Sequence, residues 1–117
     1  MGDLENSDFK IFFNKNRQWI DVYLENVHPK TFANRGGGHW GFFQATWENP
    51  KWGIFGELHF VKSRIREDVV SHELLHVLIE WMWSNGFTIT RQNEERMCEF
   101  MDELVRKFYR EYNKINP

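Results

Sequence analysis

The sequence predicts an α+β fold in which a small antiparallel sheet packs on two long antiparallel helices. Two strand-like segments, 39–48 and 52–62, are separated by the turn residues 48–51, which indicates a hairpin. Two longer segments with helical periodicity follow them. A length of 117 residues predicts a single domain over 1–117, with no room for a second core.

The first third of the chain supplies the remaining elements. Residues 9–13 predict a short strand, and residues 1–8 are expected to be flexible. Residues 17–27 fit two patterns, since one set of apolar residues has helical spacing and another alternates as in a strand; we favour a helix. The glycines at 36–38 predict a turn or loop.

Capping residues set the predicted ends of the helices. The first helix is expected to start near Ser63 as its N-cap and to end near Trp83, before the stop signal Asn85-Gly86. The second is expected to run from about Asn93 to about Tyr112. The connection between them is short, so the helices should be neighbours.

Composition excludes several classes of function. Fifteen basic and 17 acidic residues give a net charge of −2, which offers no support for binding nucleic acid or an acidic membrane. A single cysteine excludes an internal disulfide framework. The acidic, polar start lacks the features of a secretory signal, and no apolar run reaches about 18 residues. We therefore expect a cytoplasmic protein.

The first helix contains the motif His72-Glu73-Leu74-Leu75-His76. Residues four apart differ by about 40° around a helix, so both imidazoles project from one face and can reach one ion. Zinc is bound by imidazole nitrogen, and a catalytic site takes three protein ligands plus water. Glu73, about 100° round the helix from His72, would lie beside the ion and accept a proton from its water.

No histidine follows His76, so a third ligand from the downstream part of the chain has to be a carboxylate or Cys98. A helical wheel of the second helix predicts one buried face, formed by Met97, Met101, Leu104, Val105 and Phe108. Glu94 falls inside this face and is the preferred ligand. Cys98 is the second choice, and Glu95 stays open because helix starts fray.

The motif followed by Asn93-Glu94 at the next helix start resembles the gluzincin metallopeptidases, and more distantly the ImmA/IrrE peptidases. It also looks like small metallopeptidases of phages and bacteria. The resemblance covers residues 54–110. It implies that His72, His76 and Glu94 bind one zinc ion per chain and that Glu73 is the catalytic base. The family's acidic residue four positions after the third ligand is replaced by Cys98.

The strand before the helix offers a further candidate. Residues 56–61 could form an edge strand that pairs with an extended peptide. Glu57 and His59 share one face of that strand, and His59 is a candidate to stabilise the oxyanion. We interpret His39 as an ordinary loop residue and His28 as a surface residue, although His39 could turn toward a substrate.

These observations predict a zinc-dependent peptidase that hydrolyses peptide bonds through metal-activated water, with Glu73 as general base. Its expected partners are a peptide or protein substrate, with neither nucleic acid nor membrane involved. A protein that completes the cleft is a further candidate partner. The alternative is a catalytically silent zincin-like module that binds a host or partner protein. A purely structural metal site, or no metal, is the third reading.

Overall fold

A computed structural model of the protein describes residues 7–27, Phe32, 40–46 and 53–117. The glycine turn at 36–38, the hairpin turn at 48–51, His28 and His39 lie outside these residues. Of the predicted flexible start, Asp8 is held in place, since its backbone N–H donates to the carbonyl oxygen of Val22 at 2.8 Å.

The described residues form four strands and two helices. The strands are β1 (Phe9–Phe13), β2 (Gln18–Glu25), β3 (Gly41–Ala45) and β4 (Gly53–Val61). A short 3₁₀ turn at Lys62–Arg64 leads to α1 (Glu67–Ser84), and α2 spans Glu94–Ile115. The predicted α+β class is confirmed, and so is the strand at 9–13.

The sheet is mixed rather than antiparallel as predicted. Its strand order is β1-β2-β4-β3. The β1–β2 and β3–β4 pairs are antiparallel, as in the predicted hairpin, but β2 and β4 are parallel. The difference arises because β4 returns between β2 and β3 instead of adding to the outside of the sheet.

The helix predicted at 17–27 is wrong, because this segment forms β2. Ile20 and Val22 are fully buried in the core, so the alternating set of apolar residues determines the structure. The opposite face of β2 carries Trp19, Asp21 and Tyr23. Pairing with β1 on one side and β4 on the other satisfies the backbone of β2, which outweighs the competing helical spacing.

The predicted edge strand at 56–61 is also wrong. These residues belong to β4, which has β2 on one side and β3 on the other. Within the described sheet, β3 is the edge strand on this side. Any peptide that extends the sheet beside the helices would therefore pair with β3 rather than β4.

Both helices pack on one face of the sheet through a core rich in phenylalanine. Phe108 of α2 contacts Phe9 of β1 and Phe60 of β4, with ring centroids 5.3 and 5.4 Å apart. α2 lies against β1, α1 lies against β3, and the helices contact each other as predicted. Neither helix in the described part of the chain has the length and apolar content needed to cross a membrane.

The first helix begins later than predicted. Ser63 belongs to the 3₁₀ turn, Arg66 occupies the N-cap position, and α1 starts at Glu67. Ile65 between them is extended, with φ −77° and ψ 106°, and packs against the core. Burial of this side chain therefore separates the 3₁₀ turn from α1. The second helix starts as predicted and continues three residues beyond Tyr112.

Gly56 provides a test of the close β3–β4 contact. A Cβ added there would lie 2.7 Å from the carbonyl oxygen of Gln44 and 2.5 Å from a ring carbon of Phe43. Because one obstacle is backbone, we expect Gly56→Ala to lower the free energy of unfolding by about 1–3 kcal/mol.

Urea unfolding measures this change. Gln44→Ala, an exposed position on the partner strand, is the control and should stay within about 0.5 kcal/mol of the wild type. Equal stability of Gly56→Ala and the wild type would contradict the close packing of β3 on β4.

Candidate metal centre

The two motif histidines lie on the solvent face of α1. His72 and His76 are exposed, and their ring centroids are 5.0 Å apart with the ring planes at 73°. The helix places them one turn apart, so the rings meet without any help from tertiary packing. The structure therefore brings together the two imidazoles that the spacing predicts.

The first helix is buried on one side only. Its core face includes Val70, Leu74 and Val77, all fully buried. The face that carries the histidines is exposed to solvent, and it also carries the exposed side chains of Leu75 and Trp83. The histidines are therefore open to solvent, and the feature that favours a metal ion is the short distance between their rings.

Glu73 occupies a different environment from the histidines on either side of it. It is only 4% exposed and lies beside the first residue of β3, where its Cγ is 3.2 Å from the position of a Cβ added to Gly41. Burial raises the pKa of the Glu73 carboxyl, and the nearby charge of His72 opposes this increase. The site thus contains a carboxyl group that holds a proton more strongly than an exposed glutamate does.

Gly41 makes this arrangement possible, and sequence analysis did not identify it. A Cβ at Gly41 would also lie 3.1 Å from the carbonyl oxygen of His59 and 3.0 Å from Phe60. Any larger residue would therefore press on both β4 and Glu73. A glycine inside a predicted strand is a recognised sign of such a close approach, and it was available in the sequence.

The start of β3 is also tied to the start of α1. The guanidinium of Arg66 lies 4.7 Å from the ring centroid of Trp40, and it donates to Asp68 Oδ2 at 2.8 Å. This hydrogen bond lowers the pKa of Asp68. The contacts keep the edge strand and the motif helix together next to Glu73.

The predicted third ligands do not join the histidines. Within the described ranges, no three His, Cys, Asp or Glu side chains lie close enough together to hold one ion. Glu94, Glu95 and Cys98 are all exposed. Glu94 was expected on the buried face of α2, which is wrong for this residue, although Met97, Leu104 and Phe108 on that face are buried as predicted.

The position of Glu94 follows from its place at the helix start. The side chain of Asn93 accepts from the backbone of Thr90 at 2.8 Å, and Glu94 begins the helix immediately afterwards. The first residue of α2 lies beyond the region where α2 contacts α1. None of the described elements therefore covers the side chain of Glu94. A helical wheel gives the side of α2 on which Glu94 lies, but it does not show where along the helix the packing against α1 ends.

His59 lies away from this site, on the sheet face opposite the helices. Its ring is stacked between Tyr23 and Phe42, at centroid distances of 4.7 and 4.5 Å. Its Nε2 lies 2.8 Å from Glu57 Oε1, and its Nδ1 contacts Glu25. The structure brings His59 and Glu57 together, but it does not bring either of them to Glu73.

Strand alternation explains this placement. Leu58 and Phe60 on either side of His59 are fully buried in the core that faces the helices, so His59 must point the other way. Its contact with Glu25 joins residues 34 apart in sequence. No local pattern in the sequence predicts that contact.

Comparison with known protein families, with curated proteins and with solved structures gave no match.

The raised pKa of Glu73 predicts how stability depends on pH in protein freed of metal by a chelator. Above its ordinary value of 4.5, the unfolded chain loses this proton while the folded protein retains it. The native state then binds more protons, so stability falls as pH rises through this window, and the loss persists above the raised pKa. Glu73→Gln removes this contribution, so its stability relative to the wild type should increase with pH.

Thermal unfolding between pH 4 and pH 8 measures the difference. Glu99→Gln, which changes an exposed carboxylate on α2, should follow the wild type at every pH. If the curves of Glu73→Gln and the wild type are parallel, the carboxyl of Glu73 is not held in a desolvated environment.

Proposed function

We propose that this protein is a zinc-dependent hydrolase of peptide bonds, in which His72 and His76 hold the ion and Glu73 is the general base. The observation that carries the proposal is the pair of exposed imidazoles 5.0 Å apart, next to a buried carboxylate on the same helix turn. Neighbouring positions of one helix thus supply a metal-binding pair and a proton acceptor.

The spacing of the rings fits one ion. With zinc–nitrogen distances of about 2.0–2.1 Å and tetrahedral angles, the centres of two coordinated rings should lie roughly 5 Å apart. The observed 5.0 Å between the centroids of His72 and His76 agrees with this value. The described residues supply these two ligands, and Glu94 stays the predicted third.

Glu73 has the properties expected of a base. A bound zinc ion supplies Lewis acidity that makes water a nucleophile near neutral pH. The buried carboxylate of Glu73, with its raised pKa, is a stronger proton acceptor than an exposed one. It takes the proton from the attacking water and passes it to the nitrogen of the leaving amine.

The edge strand β3 supports a peptide as the substrate. Among the described strands it is paired only with β4, so its other side offers backbone donors and acceptors. Gly41 at its start lies against Glu73. An extended peptide that pairs with β3 would pass close to the base, with its main chain held by hydrogen bonds.

Glu73→Gln tests the base. The amide keeps the size of the side chain but cannot accept the proton, so hydrolysis should fall by a factor of about 10²–10⁴ while the zinc content stays unchanged. Cleavage of a diverse peptide library, read by mass spectrometry, identifies a substrate for this assay.

Glu99→Gln is the matched control and should keep full activity. Full activity of Glu73→Gln would show that Glu73 is not the base. Stoichiometric zinc without cleavage of any peptide by the wild type would favour the silent binding module instead.

Glu94 can be tested separately from the histidines. If Glu94 is the third ligand, Glu94→Ala should weaken zinc binding by at least about tenfold, whereas Glu95→Ala should bind zinc as the wild type does. Competition with a chromophoric chelator measures both affinities. Equal zinc affinity of Glu94→Ala and the wild type would remove Glu94 from the ligand set.

A further inference from the structure

The histidine face of α1 also carries an apolar strip. Leu75 and Ile79 each follow a motif histidine by three residues, and Trp83 follows Ile79 by four. Leu75 is 46% exposed and Trp83 is 72% exposed, while Ile79 is half-buried. One side of the helix thus presents two imidazoles and three large apolar side chains together.

The ligand set on this face is incomplete. Zinc in proteins is almost always four-coordinate, and closed sites with four protein ligands are structural whereas open sites are catalytic. The described residues of one chain bring only two ligands together. A second copy related by a twofold axis through the ion would supply two more from the same positions, since such an interface joins identical patches.

We propose that two copies of this chain share one zinc ion through His72 and His76 of each, forming a latent dimer of the proposed peptidase. The inference rests on the proposed function only for zinc binding by these histidines. In the dimer, four imidazoles fill the coordination sphere and leave no position for water. The separated chain, with its own ion, is the active form.

The size of the apolar strip makes the dimer depend on metal. Large apolar side chains present roughly 150–250 Å² each when fully exposed, so this partly exposed strip offers on the order of 300 Å² per copy. Stable interfaces bury about 800 Å² per partner. Contact between the strips of Leu75, Ile79 and Trp83 is therefore too small to hold two copies without the shared ion.

The charges on this face are complementary to a shared ion. Glu80 lies one turn beyond His76, is half-buried, and accepts a hydrogen bond from Ser84 at 3.5 Å. Two neutral imidazole pairs leave the double positive charge of zinc uncompensated. In the dimer, the Glu80 carboxylate of each copy, one helix turn along from His76, would offset part of that charge.

The dimer has an unusual dependence on zinc. One ion for two chains is the composition that favours it most. Excess zinc gives each chain its own ion and removes the need for shared ligands, so the dimer should dissociate by mass action. The amount of dimer therefore passes through a maximum at half an equivalent of zinc per chain.

Light scattering coupled to size-exclusion chromatography, with zinc added stepwise to chelator-treated protein, tests whether the amount of dimer passes through this maximum. The mass should rise from 14.3 kDa to twice that value at half an equivalent and return with excess zinc. His72→Ala and His76→Ala should stay monomeric at half an equivalent. Trp83→Ser should dimerise at least about tenfold more weakly yet still bind one zinc per chain in excess. Circular dichroism confirms that each variant is folded.

Two control variants address other causes of association. Cys98→Ser removes an exposed thiol and Ile115→Ser removes an exposed apolar residue at the end of α2, and both should dimerise as the wild type does.

Monomers at every ratio of zinc to chain, with one zinc bound per chain, would overturn the dimer and leave the proposed peptidase site standing. Absence of zinc binding would overturn both, and a dimer that persists in chelator would exclude zinc as the bridge.

Discussion

The structure depends on the way one turn of α1 divides its polar side chains between two environments. Adjacent residues of a helix point about 100° apart, so Glu73 is directed to the edge strand while His72 and His76 remain in solvent. Gly41 leaves the space that Glu73 fills, and this burial raises the pKa of its carboxyl. A buried carboxyl group and a pair of exposed imidazoles are thus held together on one helix turn without any long loop.

The sheet determines which strand accompanies that turn. Because β4 inserts between β2 and β3, β3 is displaced to the edge and lies against α1. The same arrangement assigns His59 to the opposite face, where it joins β2 and β4 through Glu25 and Glu57. His59 therefore acts as a packing residue within the sheet, and the chemistry proposed here uses only the helix side.

Local patterns predicted the parts of the fold that local interactions determine. The strand at 9–13, the hairpin and both helices follow from alternation, turn residues and helical periodicity, and so does the meeting of His72 with His76. The segment 17–27 was misassigned because its choice between helix and strand depends on pairing with β4, more than 30 residues away. Strand order, the exposure of Glu94 and the partners of His59 likewise depend on contacts that a single local window does not contain.

X-ray absorption at the zinc edge of the metal-loaded protein, with one ion per chain, shows directly whether His72 and His76 bind the ion. Each zinc should be coordinated by two imidazole nitrogens and by oxygen, with no sulfur, and the imidazole contribution should be lost in the doubly substituted His72→Ala, His76→Ala protein. A zinc–sulfur contribution from Cys98, or an imidazole contribution that survives this double substitution, would contradict this coordination.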